Sequence, residues 1–418
     1  MISFSYYSLC FIVILLLSYI FSKKRYFDIF SLLTLSSIFY FSPFLVGSIN
    51  IYGFLYSGEI SSETYLYINI YFILLTSYII FFDFYLSKSK VVVIDSMNRE
   101  LVKLFFSIST IIFLVGIYIA GIGNLLNSDK TNLATQNTAI YGLGIWFITC
   151  SLLLSYINKS AVMFVICSLL LTFSLYVGSR SNIVIAILTI LLFSCRNKKF
   201  KLLEQYKKGF LLLFVVAFLA IFKLTYKYIK NFDFGIVVDI YKDVSLLDIV
   251  SLIIVDPNAV AYNFNMTIVN EVTLGTGYFF HRLFSIVPGM GEIFEQISGT
   301  EYIRYSAVLA KIHNIHFGLA SSIHGEIIAI SGIFGFITFL IIFFMFLTYI
   351  NYRYLFRPSK LIILSLPFLV YNVFYAFRVD ITFCLGTLKV FILVMSLVTF
   401  FSALQSKFKR SKFNETIS

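Results

Sequence analysis

The four histidines of this chain are unevenly placed. His281, His313, His316 and His324 fall within one stretch of 44 residues, and the other 374 positions hold none. An imidazole or a carboxylate can take the proton from an attacking hydroxyl while a guanidinium holds a charged leaving group. Groups of both kinds crowd this stretch: Arg282 follows His281, Arg304 precedes the middle pair, and Glu326 lies two residues after His324. His313 and His316, three apart, share a face if the segment is helical. With Glu326 they have the ligand types of a zinc site, but the spacing is unspecific and there is no His-Glu-x-x-His pattern, so neither metal nor other cofactor is expected. General acid–base work suits these groups better, with Glu326, His281, His313 and His324 as catalytic candidates.

Two further arginines stand in apolar surroundings. In "YVGSRSNIVI", Arg180 separates two apolar runs with no acid beside it. It is either an arginine reaching lipid headgroups or a fixed cation aimed at a phosphate or pyrophosphate, which a guanidinium grips in bidentate fashion. Gly178 would allow close backbone approach, and Ser179 adds a hydroxyl donor. In "FYAFRVDITF", Asp380 either neutralises Arg378 as a local pair or leaves two arginines to give a cationic mouth to one cavity. Arg180, Arg282, Arg304, Arg378, Gly178, Ser179, Asp380 and His316 are the candidate binding residues.

These residues need elements to position them. The 418 residues are 60% apolar and 19% aromatic, and only 12% are charged. A soluble domain carries roughly 25% charged residues, and one core cannot absorb so much apolar side chain. Apolar runs near spanning length recur at 3–21, 28–49, 63–83, 101–120, 138–157, 161–178, 181–195, 209–227, 323–350, 361–377 and 381–402. The expected fold is therefore an all-α polytopic membrane protein, a bundle of about eleven transmembrane helices. No basic residue precedes the first run and no small-residue cleavage pattern follows it, so it is expected to stay as a span. The five cysteines lie in or at the ends of apolar runs, as small core residues would.

Basic residues orient the bundle. Lys23, Lys24 and Arg25, the segment Lys88 to Lys103, Lys159, the run Arg196 to Lys208, Arg353 to Lys360 and the tail Lys407 to Lys412 occupy alternate connections and hold most of the 32 basic residues. That side is expected to be cytoplasmic, with the N-terminus outside and the C-terminus inside. The net charge of +12 is then an orientation signal and calls for no nucleic acid. Spans 1 to 8 fill residues 1–227, and residues 228–322 form one large external loop. Its aromatic clusters, "NAVAYNFNMTIVN" and "GTGYFFHRLFSIVPGM", point to an ordered cap with short helices at the interface. Residues 323–418 supply three more spans and the basic tail. Lys223 and Lys389 fall inside apolar runs and have no role in this scheme.

Four local patterns carry a resemblance: "GSR" at 178–180, "GTGYFFHRLFSIVPGM" at 275–290, "SSIHGEIIAISGIFG" at 321–335 and "FRVD" at 377–380. With the span count and the single large external loop, the chain resembles the bacterial O-antigen and capsule repeat-unit polymerases, the Wzy proteins, and more distantly the O-antigen ligases. The resemblance implies Arg180, Arg282, Glu326 and Arg378 as site residues and Gly332 and Gly335 as packing positions. For the ligases it implies a histidine near the acceptor, with His313 the nearest candidate. It also implies the substrate and partners: undecaprenyl-pyrophosphate-linked oligosaccharides in the bacterial cytoplasmic membrane, and a chain-length regulator and flippase of the same pathway. Ligase-type transfer to another acceptor, or transport of lipid-linked sugars, are the alternatives.

Overall fold

The computed structural model describes residues 2–22, 25–50, 57–86, 91–94, 96–126, 139–177, 179–199, 233–287, 289–312 and 320–415, with a few isolated positions between 218 and 231. The first half contributes α1 (Ile2–Ser22), α2 (Ile29–Tyr40), α3 (Ser42–Val46), α4 (Ser62–Leu86), α5 (Arg99–Ala120), α6 (Ile122–Leu126), α7 (Ala139–Ile157), α8 (Ala161–Tyr176) and α9 (Ser181–Cys195). A two-residue strand pair, β1 (Ile49–Asn50) and β2 (Ser57–Gly58), closes the turn before α4. The second half adds α10 (Phe234–Asp243), α11 (Leu246–Val269), α12 (Gly275–Phe284), α13 (Met290–Ser298), α14 (Tyr305–Ile312), α15 (Ile323–Phe356), α16 (Lys360–Tyr375) and α17 (Ile381–Glu415).

Among the described residues, five helices are long and apolar enough to cross a membrane: Phe4–Ser22, Ser62–Tyr85, Val102–Ala120, Ala139–Ile157 and Ile323–Phe356. A sixth would arise if α10 and α11, bent by 94° at their junction, form one broken span. Shorter apolar helices occupy Ile29–Tyr40, Ala161–Leu175, Ser181–Cys195, Lys360–Tyr375 and Ile381–Leu397. The protein is an α-helical membrane protein. The run expected as a span at 209–227, with Lys223, lies almost wholly outside the described residues. Lys389 is exposed on α17.

Local chemistry sets the boundaries. Asp28 caps α2 by accepting the Ser31 amide at 2.8 Å. Ser322 caps α15 and Ser359 caps α16 through the amides of His324 and Ile362. Ser245 and Asp248 form a reciprocal capping box at the start of α11. Inside α15, Gly332 has φ 61° and ψ −157°, which splits the helix into a short lead segment and a long apolar shaft. Only glycine takes that conformation without strain.

α11 lies within the segment expected as an external loop. Its second half is part of the main core: Val260, Ala261, Phe264 and Ile268 are buried with residues of α2, α4 and α15. The helix closes with a buried polar row. Asn265 accepts from the Ser61 amide at 3.1 Å and donates to the Glu59 carbonyl at 3.2 Å, tying α11 to the start of α4.

The bundle has two distinct ends. At one, buried Arg25 pairs with Asp28 and Asp83 at 2.8 and 2.7 Å, and Asn351 near the end of α15 donates to Asp28 at 2.7 Å. Arg196 donates to the Leu355 carbonyl at 3.0 Å, and Asn158 accepts the Met97 amide at 2.8 Å. Arg25, Arg196 and the described residues beside them therefore gather at this end. At the other, the Ile323 amide bonds the Ala376 carbonyl at 3.1 Å, bringing together the start of α15, the end of α16 and the start of α17.

Where α5 crosses α7, two glycines face the opposing backbone. A Cβ on Gly116 would stand 2.6 Å from Tyr141 Cα, and one on Gly144 would stand 2.6 Å from Phe113 Cα. Small residues at such crossings let apolar helices pack in a membrane. Gly116→Ala and Gly144→Ala should each destabilise the folded protein by about 1–3 kcal/mol. Gly142→Ala, whose Cβ meets nothing within 4 Å, should be neutral or mildly stabilising. Thermal unfolding of the three variants in one detergent checks this ordering.

Candidate functional site at the Glu326 end of the bundle

The lead segment of α15 presents Glu326 to two neighbours. Its carboxylate accepts the Tyr278 hydroxyl of α12 at 2.8 Å and the backbone amide of Ile381 at the start of α17 at 2.5 Å. The same Tyr278 oxygen accepts the Tyr305 amide of α14 at 3.0 Å, and the Tyr305 hydroxyl pairs with Thr267 of α11. One buried carboxylate thus joins the loop helices to the membrane helices. Leu274, just before α12, donates its amide to the Ala329 carbonyl at 2.8 Å, beside the break at Gly332. Tyr278, Tyr305, Leu309 and Ala329 fill the space between these bonds as a small apolar cluster.

Arg282 lies one helical turn after Tyr278, so both share the inner face of α12. Its guanidinium sits 4.6 Å from the centre of the Tyr278 ring and donates to the Tyr302 carbonyl at 3.0 Å. Asp380 is fully buried at the start of α17, where one oxygen accepts the Phe383 amide at 3.2 Å and the other has no hydrogen-bond partner among the described residues. Burial pushes its acid strength down and its pKa up, while the Phe383 amide, Arg304 and Arg282 pull the other way. Burial, and then the neighbouring Glu326 charge, raises the Tyr278 phenol, which therefore remains a proton donor across the physiological range. Glu326, Asp380, Arg282 and Arg304 thus belong to one electrostatic cluster. Arg304 is its exposed member.

Arg378 serves a second, more open cluster. Its ion pair is with Asp256 of α11, at 3.0 Å, and both side chains are about one-third exposed. Burial opposes the Arg378 charge, but Asp256 and nearby phenols outweigh it and raise its pKa, so the guanidinium stays charged. Arg180, at the N-cap of α9, and Arg378 both act electrostatically on the Tyr375 phenol. Two of the arginines singled out by sequence thus lie within electrostatic range of one phenol, and the Arg378–Asp256 pair links α11 to the turn that follows α16. Ser179 accepts from Asn182 at 2.8 Å.

The histidines part company. His324 is fully buried in an aromatic box, stacked on Phe377 at 4.8 Å and edge-on to Tyr71 at 5.3 Å. His281 stacks on Tyr302 at 4.8 Å, and its Nε2 meets Glu295 of α13 at 3.0 Å. Gly178, His313 and His316 lie outside the described residues. Among the described residues no three His, Cys, Asp or Glu side chains stand close enough to hold a metal together.

No protein-family model, curated protein or solved structure matches this chain. The site has to speak for itself.

Sequence reasoning missed Tyr278 and Asp256. Tyr278 carried a usable signal: with His281 and Arg282 it forms an i, i+3, i+4 set, the spacing of one helix face. Asp256 carried none, because its partner lies more than a hundred residues away and no local pattern connects them.

Chemically, Glu326 is a closed junction and the Arg180–Arg378–Asp256 group is an accessible one. Tyr278→Phe removes the donor to Glu326 and the acceptor of the Tyr305 amide together. It should cost about 1–3 kcal/mol, and a double-mutant cycle with Glu326→Gln should be non-additive. Thermal unfolding of the two single variants and the double variant measures this.

His281 gives a pH dependence. Burial, and then Arg282, hold its pKa below that of a free imidazole, with Glu295 opposing. The folded imidazole thus resists protonation, although its Nε2 stands 3.0 Å from Glu295. As pH falls through about 6.5 the unfolded chain takes up a proton that the folded chain resists. Its contribution to stability is present above that pH and lost below it. Melting temperature should fall less steeply with acidification in His281→Gln than in the wild type, measured between about pH 7.5 and 5.

Proposed function

We propose that this protein is a glycosyl-transferring polymerase of the bacterial cytoplasmic membrane that joins undecaprenyl-pyrophosphate-linked oligosaccharide repeat units on the external face. The observation that carries this is the partly exposed Arg378–Asp256 pair, 3.0 Å apart, with Arg180 within electrostatic range of the same Tyr375 phenol. In this reading the bundle has about eleven spans. The arginine-rich, lysine-rich end faces the cytoplasm, the N-terminus lies outside, and residues 228–322 cap the external side. The motif resemblance at 178–180, 275–290, 321–335 and 377–380 supports the same reading.

The chemistry follows from the groups. The acceptor sugar hydroxyl attacks the anomeric carbon of the reducing-end sugar on the growing chain. A new glycosidic C–O bond forms as the bond to pyrophosphate breaks, and the lipid pyrophosphate departs with the electron pair. Arg180 and Arg378 neutralise that leaving group, because fixed guanidiniums in a partly dry site act without reorganising. When pyrophosphate takes its place on Arg378, Asp256 is released and accepts the hydroxyl proton. Glu326, fully buried, acts as a positioning residue that holds the turn carrying Arg378. Chain-length regulator and flippase of the same pathway would be partners.

Transport of the same lipid-linked sugars is the second reading, favoured by the break in α15 at Gly332, since discontinuous helices line many transport paths. One assay separates the two. Purified protein is reconstituted in liposomes with the lipid-linked repeat unit of its own gene cluster, and product length is read by gel or mass spectrometry. The wild type should give a ladder, Arg180→Ala and Arg378→Ala should abolish it, and Asp256→Asn should slow it by about 100-fold or more. Single units left unjoined by the wild type, even with its native partners supplied, would sink the polymerase. Units that cross the bilayer unjoined would establish transport.

A further inference from the structure

α12 is built inside out. Beyond its first turn the polar residues Tyr278, His281 and Arg282 are buried, whereas Phe279, Phe280, Leu283 and Phe284 are turned outward and exposed. A helix facing water does the reverse. α13 continues the pattern: Met290, Ile293 and Ile297 lie along one exposed stripe, with Ile297 81% exposed. Its acids point elsewhere. Glu292 and Glu295, with Gln296, line an open cleft of about 440 Å³ together with Gly299, Thr300 and Glu301.

The position of this helix pair says what covers the apolar face. The Leu274–Ala329 and Tyr278–Glu326 bonds fasten α12 to the lead segment of α15, at the end of a helix long and apolar enough to cross a membrane. Phe334, 83% exposed, lies on the α15 shaft two residues after the break at Gly332. The outward apolar residues of α12 are thus carried on a helix fastened to the end of a membrane helix that exposes its own apolar side chains.

We propose that the α12–α13 pair is a membrane-seated wedge, lying along the leaflet with Phe280, Leu283, Ile293 and Ile297 in the acyl chains and the acidic cleft turned to water. The bilayer is its partner. Basic residues are missing from the outward faces of both helices, so the attachment is apolar and does not depend on anionic lipid. The wedge sets the buried Arg282–Tyr278–Glu326 group near headgroup depth, where a lipid-borne phosphate would travel. The inference stands on the membrane character of the fold and is independent of the polymerase assignment.

The test uses the full chain with its sole tryptophan replaced, Trp146→Phe, a change that retains the aromatic stack on Phe368 at 4.6 Å. Phe280→Trp, Ile297→Trp and Gln296→Trp are each added and reconstituted in dioleoyl phosphatidylcholine vesicles, with or without the same lipid brominated in its acyl chains. Insertion to a depth of about 5–10 Å should quench Phe280→Trp and Ile297→Trp about twofold. Gln296→Trp should respond to aqueous iodide instead. Ile297 is exposed enough for its variant to fold should Phe280→Trp fail. Iodide quenching of both apolar-face variants, equal bromolipid quenching of all three, or shielding of that face from both quenchers (a protein partner) would each overturn the proposal.

Discussion

A single buried carboxylate holds this end of the protein together. Burying Glu326 without partners would cost several kcal/mol. The site meets that cost by recruiting one donor from α12, the Tyr278 hydroxyl, and one from the start of α17, the Ile381 amide. Those donors cannot reach Glu326 unless α12, α15 and α17 converge, so satisfying one side chain fixes three elements at once. Tyr278 then passes the constraint to α14 through the Tyr305 amide, and Tyr305 passes it to α11 through Thr267. The break at Gly332 belongs to the same design: it lets the lead segment of α15 leave the line of its shaft and exposes the Ala329 carbonyl for Leu274.

The opposite end follows a similar logic with different groups. Arg25 is buried between Asp28 and Asp83, and Asn351 completes Asp28, which at the same time caps α2. In both places the apolar helices between are weakly directional, since lipid and leucine side chains offer similar surroundings. Polar bonds at the ends, and glycine contacts such as Gly116 and Gly144 at the crossing of α5 and α7, select one packing among many.

The apolar periodicity and charge balance made the membrane character and the positions of most helices legible in the sequence. Boundaries were harder. The single run at 28–49 is interrupted after Tyr40, where α3 begins with Pro43 in its first turn and closes on Gly47 at φ 77°. α11 was harder still, because Asn258, Asn263, Asn265 and Thr267 make its buried half look like loop. Asn263, Asn265 and Thr267 bond to neighbouring elements, a fact invisible to local hydropathy. In the site, isolated charges in apolar surroundings marked Arg180, Arg282, Glu326 and Arg378. Their partners were not legible: Asp256 for Arg378 and Tyr278 for Glu326 are long-range pairings. His324 shows why a lone histidine says little in a sequence, since a neutral imidazole stacks in an aromatic box as readily as it serves at a site.

The two acids flanking the turn after α16 have different capacities for chemistry. Glu326 is sealed, and both of its oxygens are engaged by groups that also support the fold. Removing its bonds to admit a substrate would loosen α12, α14 and α17 together. Asp256 is bound to one partner, Arg378, and both remain partly open. An anion arriving at Arg378 exchanges one carboxylate for another charged oxygen group, so the guanidinium never loses its counter-charge and the carboxylate is left free to accept a proton. Ligand exchange at the Arg378 pair is therefore the less costly route. The Glu326 junction contributes by keeping that pair, two residues before Asp380, in a fixed position.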